Sequence, residues 1–393
     1  MHSCSGHGER PEVADVFSRF AHEMTGLDAH KRKVVHDIIN CRTPALGGHI
    51  HQCDHCGYFK SLYNSCMNRH CPKCQTLKQA RWSEDRRKDL LPVEYFHMVF
   101  TIPSVLHPLF RSFPRTCCNL LFSAVSQTLQ EVAASPSNLG ARTGFVAVLH
   151  TWTQTLLYHP HIHCVVPGGG LENNKWISCR PGFFLPVRIL SSVFRGKLLA
   201  KLQQAVNRGE IRIPEYPCAL LRKAALKPWV VYSKPPFSGP AQVLRYLGRY
   251  THRIAISNGR MVSLQGRTVT FGYRDRNDEG RYKLISMDAC EFIRRFLMHV
   301  LPRGFMRIRH FGFLSNAVRR KSVALCRSLI AAQGNGHQPV PEVHHDRETC
   351  QQMLMRIAGT DITLCPVCAT GHLVKKEIIP PQKWTVTGKA ASP

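Results

Sequence analysis

Two pairs of cysteines near the start of the chain constrain its fold more than any other feature. Cys53 and Cys56 form one C-x2-C knuckle, Cys71 and Cys74 form a second, and residues 57–70 separate them. This spacing is typical of four thiolates that bind one tetrahedral Zn²⁺. Because four protein ligands leave no coordination position for a substrate, we expect this zinc to be structural.

The same segment holds further donors that the spacing cannot rank. They are Cys41, His49, His51, His55, Cys66 and His70. Any of them is able to replace a knuckle cysteine or to complete a second site, and Cys66 and His70 are the main zinc alternatives. Far downstream, Cys365 and Cys368 with His372 make only half a site. The sequence therefore leaves open whether the C-terminal thiols are free or bind zinc.

The excess of basic residues predicts a polyanionic partner. The chain has 53 Lys and Arg against 25 Asp and Glu, a formal net charge of +28. A generally basic, solvated surface is the alternative. Cations that lie among aromatic residues, as in Arg307–Phe311, favour nucleic acid. We therefore expect the zinc segment to face DNA.

The apolar pattern predicts no membrane partner. No segment approaches the ~20 apolar residues that span a bilayer, and the chain starts without an apolar signal core. We expect a cytoplasmic protein that acts at the nucleoid. In that reducing compartment, the 17 Cys are expected to be metal ligands rather than disulfides.

Residue periodicity predicts an α+β protein with four parts. An amphipathic helical lead-in (1–40) precedes the zinc-binding module (41–90), and strands and helices then alternate through a catalytic domain (91–332). A flexible tail (333–393) carries a small Cys/His element at most. Strands are expected at Tyr95–Ile102, Gly144–Thr153, His161–Val166, Trp229–Ser233 and Met306–Phe313, with helices around Leu106–Ala133, Val187–Val206, Ala241–His252, Met287–Val300 and Asn316–Ala331.

A histidine pair opens one of these strands. Because alternate strand residues share a face, His161 and His163 point the same way while Ile162 faces the core. Two imidazoles on one sheet face suit a divalent cation, although ordinary hydrogen-bonded histidines are the alternative. Gln154, seven residues before His161, is the favoured third ligand, and His150 is the weaker candidate.

Two tyrosines lie one turn apart in the helix predicted over Ala241–His252. Tyr246 and Tyr250 would share a face, about 6 Å apart along the axis, so that both could reach one metal site. A packed aromatic stripe is the alternative. Neighbouring cations favour a phosphate-binding face instead. They are Arg245, Arg249 and Arg253.

The combination of motifs resembles a known family. Ser-Cys-Met-Asn-Arg-His-Cys-Pro-Lys-Cys (65–74), His-Pro-His-Ile-His (159–163), Tyr-Leu-Gly-Arg-Tyr (246–250) and the segment Arg307–Leu314 occur in order. Together they resemble the two-tyrosine His-hydrophobic-His (HUH) rolling-circle transposases of bacterial insertion sequences, over about residues 10–330. The resemblance implies a central antiparallel sheet with flanking helices beside the zinc module.

The resemblance also implies a mechanism. Mg²⁺ or Mn²⁺ held by His161 and His163 would assist Tyr246 or Tyr250 in cutting single-stranded DNA at transposon ends and target DNA through a 5′-phosphotyrosine. Phosphate contacts are expected from Arg245, Arg249, Arg253, Arg307 and Arg309, and base stacking from aromatics such as Phe311 and Phe313. A rolling-circle replication initiator and a zinc-finger DNA-binding regulator without catalysis are the alternatives. The oligomeric state stays open.

Overall fold

The computed structural model describes residues 10–213, 217–234, 242, 243, 248, 255–275, 278–333, 349–359 and 361–382. The chain forms two compact units, which we describe separately. The terminal unit comprises Met1–Ala80, Ile256–Leu297 and His344–Pro393. The central unit comprises Arg81–Ala255 and Met298–Val343.

The terminal unit contains two small antiparallel sheets, with strand orders β13-β1-β2 and β11-β10-β9. Its strands are β1 (Gly48–Cys53), β2 (Phe59–Tyr63), β9 (Met261–Gln265), β10 (Thr268–Asp275), β11 (Arg281–Asp288) and β13 (Leu373–Ile379). Its helices are α1 (Val13–Phe20), α2 (Ala29–Ile39), α8 (Ala289–Leu297) and α10 (Cys350–Ala358), and α3 (Gln75–Arg87) crosses the boundary at residue 80. Helix α1 packs against α8 through an edge-to-face contact between Phe17 and Phe296, whose ring centroids lie 5.2 Å apart.

The central unit is built on a five-stranded antiparallel sheet of order β12-β4-β5-β3-β8. Its strands are β3 (Tyr95–Thr101), β4 (Phe145–Trp152), β5 (Tyr158–Pro167), β8 (Val231–Lys234) and β12 (Ile308–Phe311), with β6 (Gly169–Glu172) and β7 (Lys175–Ser178) as a separate hairpin. Its helices are α4 (His107–Ser112), α5 (Pro114–Ala134), α6 (Val187–Asn207), α7 (Pro217–Ala225) and α9 (Arg319–Ala332).

The two faces of the central sheet bury different residues, as the period of two along a strand requires. On one face, Ile162 and Phe100 join a cluster with Leu121 of α5 and Phe194 of α6. On the opposite face, Val148 and Val165 join a second cluster with Ile330 of α9. The sheet is therefore covered by helices on both sides. None of the described helices is long and apolar enough to cross a bilayer.

The observed elements confirm the predicted α+β class, with antiparallel sheets. The helical lead-in differs in one respect, because it divides into α1 and α2 at Gly26, whose φ is +70°. Asp28 then caps α2 by accepting a hydrogen bond from the Lys31 amide at 2.8 Å. The predicted domain boundaries do not follow the two units, since residues 256–297 group with the two ends of the chain.

The tail also differs from the flexible segment that we expected. Residues 349–382 hold α10 and β13, and β13 pairs antiparallel with β1 from Gly48↔Ile379 to Cys53↔Leu373. Backbone pairing of this kind is invisible to local periodicity, because the two strands lie at opposite ends of the sequence.

Gly312 supports a stability prediction. Its φ is +60°, and an added Cβ would overlap the carbonyl oxygen of Thr143. Gly209 has a similar φ of +71° with no atom within 4 Å of an added Cβ. We expect Gly312→Ala to lower the free energy of unfolding by about 3 kcal/mol and Gly209→Ala by about 1 kcal/mol, measured by urea unfolding. Equal losses would show that the contact with Thr143 is unimportant.

Candidate metal centres

Three histidines lie together on one face of the central sheet. His150 of β4 pairs directly with His161 of β5, and His163 follows two residues later on the same face. One ligand nitrogen from each ring lies within 4.8 Å of the others. Ile162 is fully buried in the cluster on the opposite face. The alternation predicted for this strand is confirmed.

Hydrogen bonds orient two of the three rings. His161 Nδ1 lies 2.6 Å from the carbonyl oxygen of His159, so Nδ1 carries the proton and Nε2 keeps its lone pair. His163 Nδ1 lies 2.8 Å from Nε2 of His97, a buried residue of β3. If His163 Nδ1–H donates to His97, then His163 also presents Nε2. Outer contacts of this type orient metal-binding imidazoles.

His97 is a residue that the sequence analysis missed. It lies on β3, beside β5, and its register partner there is Val165 rather than either ligand. The alternation in Phe96, His97 and Met98 places His97 on the histidine face, because Phe96 and Met98 belong to the opposite cluster. That alternation was the available signal.

A further histidine, His299, contacts the turn between β4 and β5. His299 is buried, and burial lowers its pKa to about 4, so the ring is neutral near pH 7. Its Nε2 donates to the carbonyl oxygen of Leu156 at 3.1 Å, and its Nδ1 accepts from the Thr151 hydroxyl at 3.2 Å. Gln154 lies in this turn. The structure groups His150 with the pair, and a Gln154 ligand stays a prediction.

The predicted nucleophiles lie outside the described residues. Tyr246, Tyr250, Arg245, Arg249 and Arg253 all belong to that part of the chain. Val243, three residues before Tyr246, is helical and fully buried. It belongs to the cluster that covers the histidine face, with Val148 and Val165. Val243 therefore packs on the same face of the sheet as the three imidazoles.

The segment Arg307–Leu314 has a packing role that the sequence analysis did not anticipate. Arg307 is 8% exposed, and the Arg309 guanidinium lies 4.2 Å from the centroid of the Phe122 ring. Phe311 stacks on Phe145 at 5.1 Å, and Phe313 is buried. The burial of Phe313 contradicts base stacking by its ring, and the partly buried Phe311 ring packs on Phe145.

The first cysteine cluster contains Cys41, Cys66, Cys71 and Cys74. Cys66 Sγ and Cys74 Sγ lie 3.8 Å apart, as expected for two sulfurs about 2.3 Å from one tetrahedral zinc. The backbone amides of Cys66 and Lys73 point at Cys41 Sγ and Cys71 Sγ, at 3.5 and 3.4 Å. These donors stabilise thiolates, and the donor set fits structural Zn²⁺.

The single zinc site predicted from Cys53, Cys56, Cys71 and Cys74 is wrong. The second knuckle belongs to the first cluster, whereas Cys53 and Cys56 group with Cys365 and Cys368. The β1–β2 hairpin carries the first knuckle to β13, and sequence spacing cannot reveal a partner more than three hundred residues away. Of the proposed alternatives, Cys66 is a member of a cluster and His70 is not.

Comparisons with known proteins match the chain to transposases. A family model described as "Transposase zinc-binding domain" matches residues 13–102, and one described as "Putative transposase" matches residues 144–322. A Sinorhizobium fredii chain named "Putative transposase y4qJ" is 44% identical over 394 residues, covering 95% of this chain and 98% of the relative. The "Transposase for insertion sequence element IS801" of Pseudomonas savastanoi is 28% identical over 307 residues, covering 75% of this chain and 73% of the relative.

The chain belongs to the IS91-type rolling-circle transposase family. The zinc-binding match includes the whole first cysteine cluster, and the transposase match includes His150, His161 and His163. Cys365 and Cys368 of this transposase lie outside both matches. No solved structure matches the chain.

Proposed function

We propose that this transposase cleaves and rejoins single-stranded DNA at insertion-sequence ends and target sites through a 5′-phosphotyrosine, for rolling-circle transposition. The observation that carries the proposal is the group of three imidazoles on one face of an antiparallel sheet, with their ligand nitrogens within 4.8 Å. A HUH-like fold agrees with the strand order, which places the histidine strand β5 at the centre of the sheet. The basic chain, with a net charge of +28, suits a DNA substrate. We place this activity in the cytoplasm, at the nucleoid.

The imidazoles would hold a divalent cation that supplies charge stabilisation at the scissile phosphate. Nitrogen ligands suit a transition ion, and Mg²⁺ prefers oxygen. Three histidines therefore favour Mn²⁺ over Mg²⁺ unless an oxygen ligand joins them. The Gln154 amide, in the turn that His299 fixes, is our candidate for that ligand.

Tyr246 and Tyr250 are the proposed nucleophiles. The burial of Val243 against the histidine face, with Tyr246 three residues later in the sequence, supports this assignment. A tyrosine Oη attacks the phosphorus, the bond from phosphorus to the 3′-oxygen breaks, and the phenol proton ends on that 3′-oxygen. The products are a 5′-phosphotyrosine and a free 3′-hydroxyl. Because the new ester keeps the energy of the phosphodiester, rejoining needs no ATP.

A second tyrosine suits strand transfer, since one ester can persist while the other tyrosine cuts. Arg245, Arg249 and Arg253 are proposed phosphate contacts in the same segment. Arg307 and Arg309 are weaker candidates, because Arg307 is buried and Arg309 packs on Phe122.

The proposal is tested with end-labelled single-stranded DNA that carries the element's ends. The purified protein is incubated with Mn²⁺, Mg²⁺ or EDTA and run on a denaturing gel that resolves protein–DNA adducts. We expect a metal-dependent adduct that the Tyr246→Phe, Tyr250→Phe double variant loses. Binding to verified ends without a nick or an adduct would favour a zinc-dependent regulator, and adducts only at a plasmid-type origin would favour a replication initiator.

His97 gives a prediction about metal affinity. Its Nε2 lies 2.8 Å from His163 Nδ1, and we propose that it accepts a hydrogen bond there, which would leave His163 Nε2 free to bind the metal. We expect His97→Ala to raise the Mn²⁺ concentration for half-maximal cleavage roughly 10- to 100-fold, with little change at saturating metal. His97→Gln, whose amide oxygen can accept the same bond, should restore most of the affinity. An unchanged metal requirement in His97→Ala would contradict a positioning role.

A further inference from the structure

We propose that Cys53, Cys56, Cys365 and Cys368 bind a second structural zinc that fastens the C-terminal β13 to the N-terminal β1–β2 hairpin. The four sulfurs lie within 4.8 Å of one another. The site draws one knuckle from each end of the chain. It is independent of the proposed DNA chemistry.

Sulfur positions match a tetrahedral ion. Cys53 Sγ lies 3.7 Å from Cys368 Sγ, and Cys56 Sγ lies 3.7 Å from Cys365 Sγ. A tetrahedron with zinc–sulfur bonds of about 2.3 Å has edges of about 3.8 Å. Disulfide bonds would require sulfurs about 2.05 Å apart. The arrangement is therefore that of four ligands around one ion.

Backbone amides in both knuckles point at the cysteine sulfurs. The amides of His55 and Cys56 each lie 3.4 Å from Cys53 Sγ. On the C-terminal knuckle, the amide of Val367 lies 3.5 Å from Cys365 Sγ and that of Gly371 lies 3.3 Å from Cys368 Sγ. N–H donors aimed at sulfur favour the thiolate form, which is the form that binds zinc.

The two knuckles are also joined through the backbone. The amide of His372 donates to Asp54 Oδ1 at 2.7 Å, and the amide of Asp54 donates to the carbonyl oxygen of His372 at 3.1 Å. An added Cβ on Gly371 would lie 2.5 Å from Cys53 Sγ. The close approach of the two knuckles therefore requires glycine at position 371. The side chain of His372 does not belong to the cysteine cluster.

Burial of apolar side chains does not by itself account for the stability of the β13-β1-β2 sheet. Its hydrophobic cluster consists of Cys53, Cys365 and Leu373, with Cys368 packed against it. Several large apolar side chains on its strands face solvent instead, with Phe59 61% and Ile378 64% exposed. A sheet this small needs an additional cross-link or a bound metal for stability, and a structural zinc contributes free energy of folding directly.

The experiment counts thiolate-bound zinc in the full chain. After desalting removes loosely bound metal, a mercurial displaces zinc from cysteine sulfur, and a chromophoric chelator measures the release. We expect two zinc ions per chain, and one in both Cys56→Ser and the Cys365→Ser, Cys368→Ser double variant. Cys290→Ser, a thiol outside both clusters, should keep two. One zinc in the parent protein, or two in either site variant, would overturn the proposal.

Hydrogen exchange provides a readout that connects the two ends. Cys56→Ser alters only the N-terminal knuckle, yet we expect the amides of 373–379 to exchange at least tenfold faster than in the parent. Cys290→Ser should leave this exchange unchanged. Unaltered protection of 373–379 in a Cys56→Ser variant that has lost one zinc would contradict the fastening role.

Discussion

A His161→Ala, His163→Ala double variant is expected to lose DNA cleavage by at least roughly 10³-fold at saturating Mn²⁺, because two of the three proposed metal ligands are removed. Both rings lie on the histidine face of β5, and hydrogen bonds at Nδ1 turn each toward a shared point. Nicking of end-labelled single-stranded DNA measures the loss. Binding of the same DNA should change little, since the basic surface is intact.

Ile162→Val is the matched control for this variant. It lies between the two ligands on the same strand but points into the opposite core cluster. We expect it to cost about 1 kcal/mol of unfolding free energy while cleavage persists. Full cleavage by the double histidine variant, or equal loss in Ile162→Val, would show that the imidazoles do not serve the reaction.

Loss of the first zinc is the second large effect that we expect. Cys71 is fully buried in its cluster, and Ser in its place leaves three thiolates. Structural zinc contributes about 10–16 kcal/mol of apparent binding free energy in zinc-finger peptides. Cys71→Ser should therefore release one zinc and unfold the region around residues 41–74.

Trypsin digestion and zinc release measure this effect together. We expect rapid cleavage within residues 41–74 of Cys71→Ser, and no such cleavage in Cys290→Ser. Chelation of zinc from the parent protein should give the same fragments. A Cys71→Ser protein that stays resistant and keeps its zinc would contradict the ligand assignment.

Local pattern predicted the histidine face because a strand alternates with a period of two. His161 and His163 share a face with Val165, and Ile162 lies in the opposite core, as expected. The position of His150 was harder to predict. His150 faces His161 through the cross-strand register, which shifts between His150 and Trp152 at a bulge. Sequence spacing does not reveal such a bulge, and a metal ligand at Gln154 stays a prediction.

Zinc sites show the same limit at longer range. The C-x2-C spacing identified two pairs of candidate zinc ligands, Cys53 with Cys56 and Cys71 with Cys74, but it did not show that the pairs belong to different clusters. Their grouping depends on Cys41 upstream and on Cys365 and Cys368 downstream. The pairing of β1 with β13 brings Cys53 and Cys56 close to Cys365 and Cys368. These two strands are more than three hundred residues apart in the sequence.

Aromatic residues in Arg307–Leu314 illustrate a different ambiguity. Cations among aromatics are typical both of nucleic-acid surfaces and of cation–π packing. Arg309 stacked on Phe122 and the burial of Phe313 show the packing role here. Only the three-dimensional environment distinguishes the two.

The most direct test of the tyrosine mechanism is to identify the residue joined to DNA. The adduct formed with Mn²⁺ is digested with trypsin and nuclease, and mass spectrometry locates the nucleotide on the peptide. We predict a 5′-nucleotide ester on Tyr246 or Tyr250, absent with EDTA. A nucleotide on any other residue, or cleaved ends that carry no protein, would contradict the account.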